Sequence, residues 1–253
     1  MAWNESNRPG DDPATRAPAF VTTHWSVVLA ATGADTTKAQ AALGYLCRMY
    51  WYPIYHFVRR QGHSVHDSED FTQEFFARLL EKKWIADADQ SRGRFRSFLL
   101  MVLKRFLAVE WHRANAQKRA GDRHCLPLPL DTAETRYRRE PADTSTPEQA
   151  FEKQWAHMLL ETVLRQLRLE YEQDGKGRLF ETLKPCLLGS RESQPYAALA
   201  ASLDMSEGAV KVAVHRLRER YRNRLKAEIA HTVASPADVD NEMRHLFRVL
   251  SRN

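Results

Sequence analysis

Pro195–Leu225 reads PYAALAASLDMSEGAVKVAVHRLRERYRNRL. Ala197, Ala198, Ala200 and Ala201 keep the first segment thin enough for close helix–helix approach. Pro195 suits a first helical position, where the missing N–H has no partner to lose. Asp204 stands where the chain must turn, and Asp is among the few residues other than Gly that tolerate a left-handed backbone. Ser206 offers a capping oxygen to the next helix, and Glu207 sits favourably in its first turn. The pattern predicts a short helix, a tight turn and a longer helix, the plan of a helix-turn-helix whose second helix lies in the DNA major groove.

In the longer segment Val210, Val214, Leu217, Tyr221 and Leu225 recur at steps of three or four, a single buried stripe. Lys211, His215, Arg218 and Arg222 recur on another face, with Arg216, Arg220 and Arg224 beside them. From 211 to 226 seven Lys and Arg residues stand against one acid, Glu219. A merely solvated face mixes signs as i,i+4 pairs; this one barely does. A nucleic-acid contact is the stronger reading.

The 253 residues allow two small domains, and a net charge of +6 favours a polyanionic partner. Cys47, Cys125 and Cys186 are odd in number and widely spaced, which argues against a disulfide framework or a zinc module and for a reducing compartment. The first residues, MAWNESNRPGDDPATRAP, lack the apolar run of a signal peptide, and no apolar stretch approaches membrane-spanning length. These features predict a soluble cytoplasmic protein that does not engage a membrane.

Helical periodicity dominates the rest, and the expected fold class is all-α. Lys38–Tyr52 and Ile54–Arg60 read as a first apolar-periodic hairpin arm interrupted at Pro53, Asp67–Lys82 as a second helix and Phe95–Lys118 as a long third one. Gly121–Ser145, rich in proline and turn formers, reads as a linker. Thr146-Pro-Glu-Gln149 then carries the signature of a capping box. The helix that follows runs through Phe151, Trp155, Met158, Leu159, Val163, Leu167 and Tyr171, and a shorter one spans Arg178–Leu188. Ser235 and Pro236 open a last helix with Val239, Met243, Leu246 and Leu250 on one stripe. It is expected to pack back on the second domain, or to serve as a regulatory helix.

Two features before the linker have opposite sign. Asp67, Glu69, Asp70, Gln73 and Glu74 make an acidic island beside the apolar face of Phe71, Phe75 and Leu79. Arg92-Gly-Arg-Phe-Arg-Ser-Phe98 opens the long helix, whose core stripe is predicted to be Phe98, Leu99, Val102, Phe106 and Val109. That leaves Lys104, Arg105, Trp111, Arg113, Lys118 and Arg119 for another surface. Cations interleaved with aromatic rings suit unwound nucleic acid, whose phosphates meet Lys and Arg while its bases stack.

SVHDSEDFTQEFFARLL, then RGRFRSFLLMVLKRFLAVEWHR, and finally YAALAASLDMSEGAVKVAVHRLRERYR together resemble the extracytoplasmic-function (ECF) sigma factors of bacterial RNA polymerase. The first segment matches the family's D-x-E-D-x-x-Q-E-x-F helix and the last its S-E-G-x-V-K helix-turn-helix; the likeness covers about Thr23–Ile229. It implies a disordered tail (1–19), a region 2-like helical domain (20–120), a linker (121–145), a winged-helix-like region 4 domain (146–230) and a C-terminal extension (231–253). Asp67, Glu69, Asp70, Gln73, Glu74 and Phe75 would dock on the clamp of the polymerase largest subunit. Arg94, Phe95, Arg96, Ser97, Lys104, Arg105, Trp111 and Arg113 would capture the melted −10 strand, where a pocket offsets the cost of extruding a base. Ser206, Glu207, Lys211, His215, Arg216, Arg218 and Arg222 would read the −35 duplex, base edges first and phosphates later. The implied partners are core polymerase, promoter DNA and an anti-sigma factor or other regulator. Nucleotide addition stays with the polymerase, so no catalytic residue, cofactor or metal is called for.

Ala209, Val212 and Ala213 stand where relatives commonly carry Thr, Ser and Arg, which shifts specificity onto Lys211, His215, Arg216 and DNA shape. Two other classes compete. A free-standing helix-turn-helix regulator explains 195–225 but leaves the acidic island and the Arg94–Trp111 surface unused. A metal phosphohydrolase would use the His66-Asp67 pair with His63, Asp70 and Glu74, and it needs distant partners such as His24 or His56.

Overall fold

The structure is a computed structural model that describes residues 36–81, 84–87, 93–116, 130–140, 145–187, 195–230, 232–233 and 235–251. The tail predicted over 1–19 lies outside them. Every regular element among the described residues is helical, so the chain is all-α, and no strand is present there to form a wing. The helices are α1 (Thr36–Arg60), α2 (Val65–Glu81), α3 (Phe95–Ala116), α4 (Leu130–Arg139), α5 (Pro147–Gln173), α6 (Gly177–Leu183), α7 (Tyr196–Leu203), α8 (Glu207–Ala230) and α9 (Val239–Leu250), with single 3₁₀ turns at Trp84–Asp87, Lys184–Cys186 and Pro236–Asp238.

Pro53 does not divide α1. A proline inside a helix removes one N–H and crowds the carbonyl four residues back, at a cost of about 3 kcal/mol. Met49, Tyr50, Trp51, Ile54, Tyr55, Phe57 and Val58 flank it and are all buried. Burying one such side chain stabilises by about 1.5–3 kcal/mol, so continuity of the apolar face outweighs the missing bond. The arm predicted to be interrupted at Pro53 is one continuous helix.

Helix α5 starts as its sequence predicts. Thr146 Oγ1 accepts the Gln149 N–H at 3.3 Å, and Gln149 Oε1 accepts the Thr146 N–H at 3.1 Å. Its 27 residues then run through two cores. Phe151, Trp155, Ala156, Leu159 and Val163 enter a large cluster with α1, Phe75, Phe76 and Leu79 of α2, and Phe95, Leu99, Leu103 and Phe106 of α3. Leu225 and Ile229 of α8 and Leu246 and Val249 of α9 join the same cluster. Further along, Leu167 and Tyr171 meet Phe180, Leu183, Leu199, Val210, Val214 and Leu217 in a second, smaller one. Two separate domains meeting at 121–145 were expected. Instead both cores are threaded on α5, whose first half packs with α1, α2 and α3 and whose last turns pack with α6, α7 and α8. The C-terminal helix α9 packs on α5 and α8, with Leu246 and Val249 buried and Val239, Met243 and Leu250 half-buried.

The expected linker contains α4, which the sequence did not signal. Its grip on α1 is largely polar. Ala133 packs with Tyr52 and Tyr55. Glu134 accepts hydrogen bonds from Tyr55 (2.6 Å), Arg59 and Arg138; Glu140 accepts from Tyr52 (2.6 Å) and Gln154 and lies 2.7 Å from His56 Nε2. Arg136 lies over the Tyr52 ring and Arg59 over that of Tyr137. A helix held by partners elsewhere in the chain carries no apolar period of its own.

Burial pushes the Glu134 carboxyl up, but the bonds from Arg59, Tyr55 and Arg138 outweigh it and hold the group at about 2, against an ordinary 4.5. Its contribution is complete above pH 4.5 and disappears as pH falls toward 2. Glu134→Gln is expected to cost about 1–3 kcal/mol at neutral pH and to flatten that acid limb. Urea unfolding across the range measures both. An acid limb identical to wild type would show that this carboxylate does not hold α4.

Candidate nucleic-acid interface

The turn between α7 and α8 has the predicted geometry. Asp204 is left-handed (φ 54°), the one non-glycine residue with positive φ among those described. Ser206 Oγ accepts the Ala209 N–H at 3.2 Å and so caps α8. Pro195 stands one position earlier than predicted, at the N-cap of α7. Val210, Val214 and Leu217 are buried against α7 and α6, as their spacing requires.

The cations of α8 divide into two groups. Lys211 pairs with Glu207 at 2.9 Å, Arg220 lies over the Tyr171 ring at 5.3 Å, Arg224 pairs with Glu170, and Lys226 reaches Asp240 at 3.5 Å. Arg218 forks onto the Cys186 carbonyl through Nε (3.3 Å) and Nη2 (2.9 Å). It was expected to contact DNA; in the structure it fastens α8 to the 3₁₀ turn of Lys184–Cys186. His215, Arg216 and Arg222 are exposed and engage no partner among the described residues, and Val212 stands 49% exposed near them. The one-sided charge counted in the sequence is thus answered partly by acids of α5 and α9. Three side chains, His215, Arg216 and Arg222, remain without a partner among the described residues.

The acidic island is only partly a surface. Asp67 and Asp70 are exposed, while Glu69, Gln73 and Glu74 are half-buried. Ser64 Oγ accepts the Asp67 N–H (3.1 Å) and donates to the Asp67 carboxylate (2.7 Å), so Asp67 also closes the start of α2. Glu74 pairs with Arg78, which reaches on to the buried Glu110 at 2.6 Å. Phe75, expected at the same surface, is fully buried among Phe76 and Phe106: its place on the helix points to the core, not to a partner. Among the described residues no three His, Cys, Asp or Glu side chains converge as metal ligands, and His63 packs edge-on against Phe71.

The start of α3 departs most from expectation. The buried stripe is Phe95, Leu99, Leu103, Phe106 and Leu107, and Val109 is 48% exposed. Arg96 falls on that stripe and is 2% exposed. Its Nε donates to Glu152 Oε2 at 2.7 Å, its Nη1 donates to Glu242 Oε1, and its guanidinium lies 4.1 Å from the centroid of the Trp155 ring. Burial opposes that charge, but Glu152 and Glu242 outweigh it and hold the guanidinium pKa above its ordinary value. Arg94 Nε lies 2.7 Å from Glu242 Oε2, and His245 Nε2 lies 3.1 Å from Glu152 Oε2. Phe95 and Arg96, expected to meet a melted strand, are therefore occupied inside the protein. Ser97 and Arg105 are exposed, and Lys104 pairs with Glu148 at 2.7 Å. Trp111 and Arg113 lie on the last turns of α3, where the described structure stops at the backbone.

Glu110, Glu152 and Glu242 are absent from the sequence-predicted sites, although two of them carry a signal. Glu110 follows Leu103, Phe106 and Leu107 at helical steps, and Glu242 lies three residues after Val239 and four before Leu246. A charge on an apolar stripe calls for a buried partner of opposite sign. No protein-family model, characterised protein or solved structure matches the chain.

Removing Arg96 leaves the fully buried Glu242 with Arg94 alone beside it among the described cations. Arg96→Ala is expected to cost about 3–5 kcal/mol, whereas exposed Arg105→Ala stays within about 0.5 kcal/mol. Urea denaturation of the two variants measures the difference. Equal, small losses of stability would mean that the Arg96 cluster does not organise the core.

Proposed function

We propose that the chain is a sigma factor of the ECF type, which joins bacterial core RNA polymerase, directs it to promoters and assists DNA melting. The observation that carries this reading is the α7–α8 pair. A left-handed Asp204 turn and a Ser206 cap present His215, Arg216 and Arg222 from one exposed face. An exposed Asp67 and Asp70 on α2 support it from the opposite charge. In this reading α8 enters the major groove at the −35 element. Lys211, His215 and Val212 approach base edges there, and Arg216 and Arg222 contact phosphates. Arg218 acts as a positioning residue through the Cys186 carbonyl. Asp67 and Asp70 meet the basic clamp of the polymerase, and the exposed side of α3, with Ser97, Lys104 and Arg105, faces the melted strand. No helix among the described residues is long and apolar enough to cross a membrane.

The decisive experiment mixes the purified full chain with bacterial core polymerase, isolates any complex and follows run-off transcription from genomic fragments. A stable complex with discrete new start sites is expected. No complex, together with sequence-specific binding to closed duplex, would overturn the reading in favour of a free-standing regulator. Within a positive result, Asp67→Lys with Asp70→Lys is expected to abolish the complex while leaving duplex binding unchanged. Glu74 is unsuited to that test because reversal would confront Arg78.

The cations of α8 are separable by salt. Arg216→Ala with Arg222→Ala is expected to lower the slope of log K against log[salt] by about 0.9 for each phosphate that is no longer neutralised. Arg218→Ala is expected to weaken duplex binding with little change in slope, since it holds the helix rather than the phosphate. A slope altered as much by Arg218→Ala as by the others would return Arg218 to the phosphate-binding set.

A further inference from the structure

We infer that α9 is an autoinhibitory clasp: its Glu242, together with Glu152 of α5, occupies the anion site formed by Arg94 and Arg96 and must leave before a nucleic-acid strand can use those guanidiniums. The inference rests on reading the start of α3 as the strand-capturing segment.

The pairing pattern is the main support. Four described cations belong to the strand-capturing segment expected from the sequence, namely Arg94, Arg96, Lys104 and Arg105. Three of them are taken by carboxylates from the later half of the chain: Arg94 by Glu242, Arg96 by Glu152 and Glu242, and Lys104 by Glu148. A carboxylate and a phosphodiester both present two oxygens to the planar fork of an arginine. Glu242 therefore fills the place of one phosphate group, and strand and helix compete for the same donors.

The chemistry of α9 fits a docked part that releases. Glu242 is fully buried on a stripe otherwise made of Val239, Met243, Leu246 and Leu250. For packing alone an apolar residue there is as good or better, since a buried ion pair is often matched or exceeded by a well-packed apolar substitute. The carboxylate makes docking depend on the arginines. With 12 residues α9 is marginal as an isolated helix. Its flanking pair, Lys226–Asp240 at 3.5 Å, is solvent-exposed and worth little. The closed arrangement is also imperfect: Arg96 Nη2 is buried without a hydrogen-bond partner. A phosphate oxygen placed on that donor would add a hydrogen bond that the closed arrangement lacks.

The test uses the full chain and a short mixed-sequence single-stranded DNA. In wild type, hydrogen exchange at the α9 amides is expected to accelerate when the DNA is added. Glu242→Gln keeps the shape of the side chain and is expected to bind the DNA about tenfold more tightly, a change of about 1.4 kcal/mol. Asp240→Asn makes the same change of net charge on an exposed position of the same helix and is expected to have a smaller effect. Equal gains in the two variants, or α9 protection that the DNA leaves unchanged, would overturn the clasp while the sigma reading stands on the polymerase complex. If neither wild type nor variant binds DNA or core polymerase, both fall.

Discussion

Arg96 is the group around which the large core is arranged. A guanidinium carried to 2% exposure is tolerable only with opposite charge around it, because desolvating an unpaired ion costs several kcal/mol. The structure meets that demand from three directions: Glu152 on α5, Glu242 on α9 and the face of Trp155. Each partner belongs to an element remote in sequence from α3, so the charge forces those elements together. Apolar contacts among the same helices add most of the burial but are non-directional, and they would tolerate many registers. The arginine fixes one.

Helix α5 transmits that constraint. Its first half lines the core that holds Arg96, and its last turns, Leu167 and Tyr171, line the core beneath α8. Helix α8 returns the connection, with Val210, Val214 and Leu217 in the smaller core and Leu225 and Ile229 in the larger. The exposed His215, Arg216 and Arg222 therefore stand on a helix anchored at both ends. Arg218 tightens that anchorage through the Cys186 carbonyl. If α8 is a DNA reader as proposed, its orientation relative to α3 is set by the packing of both helices against α5.

The parts of this arrangement legible in the sequence are those with local causes. The all-α class, the capping box at Thr146, the left-handed turn at Asp204, the Ser206 cap and the stripe of α8 each follow from a few neighbouring residues. The features that the sequence conceals share a different origin. Pro53 resembles a break because its cost is local while its compensation is spread over the core. Phe75 and Phe95 resemble contact residues by motif but are packing, and Arg96 resembles a free cation but is buried. Helix α4 is hidden because Glu134 and Glu140 find their partners on α1. Glu110 and Glu242 are detectable in principle, since each interrupts an apolar period where only a buried cation makes sense.

By itself, then, the sequence determined most of the helices, the caps and turns with local causes, and the sign of each face. Propensity, periodicity and capping act over a few residues and need no partner. Only the tertiary structure decided which charges stay free for a partner. Glu207, Glu170 and Asp240 neutralise part of α8; Glu148, Glu152 and Glu242 neutralise the start of α3. An ion pair depends on distance and solvent exposure rather than on separation along the chain. A count of charges along a helix therefore cannot say which of them face a partner.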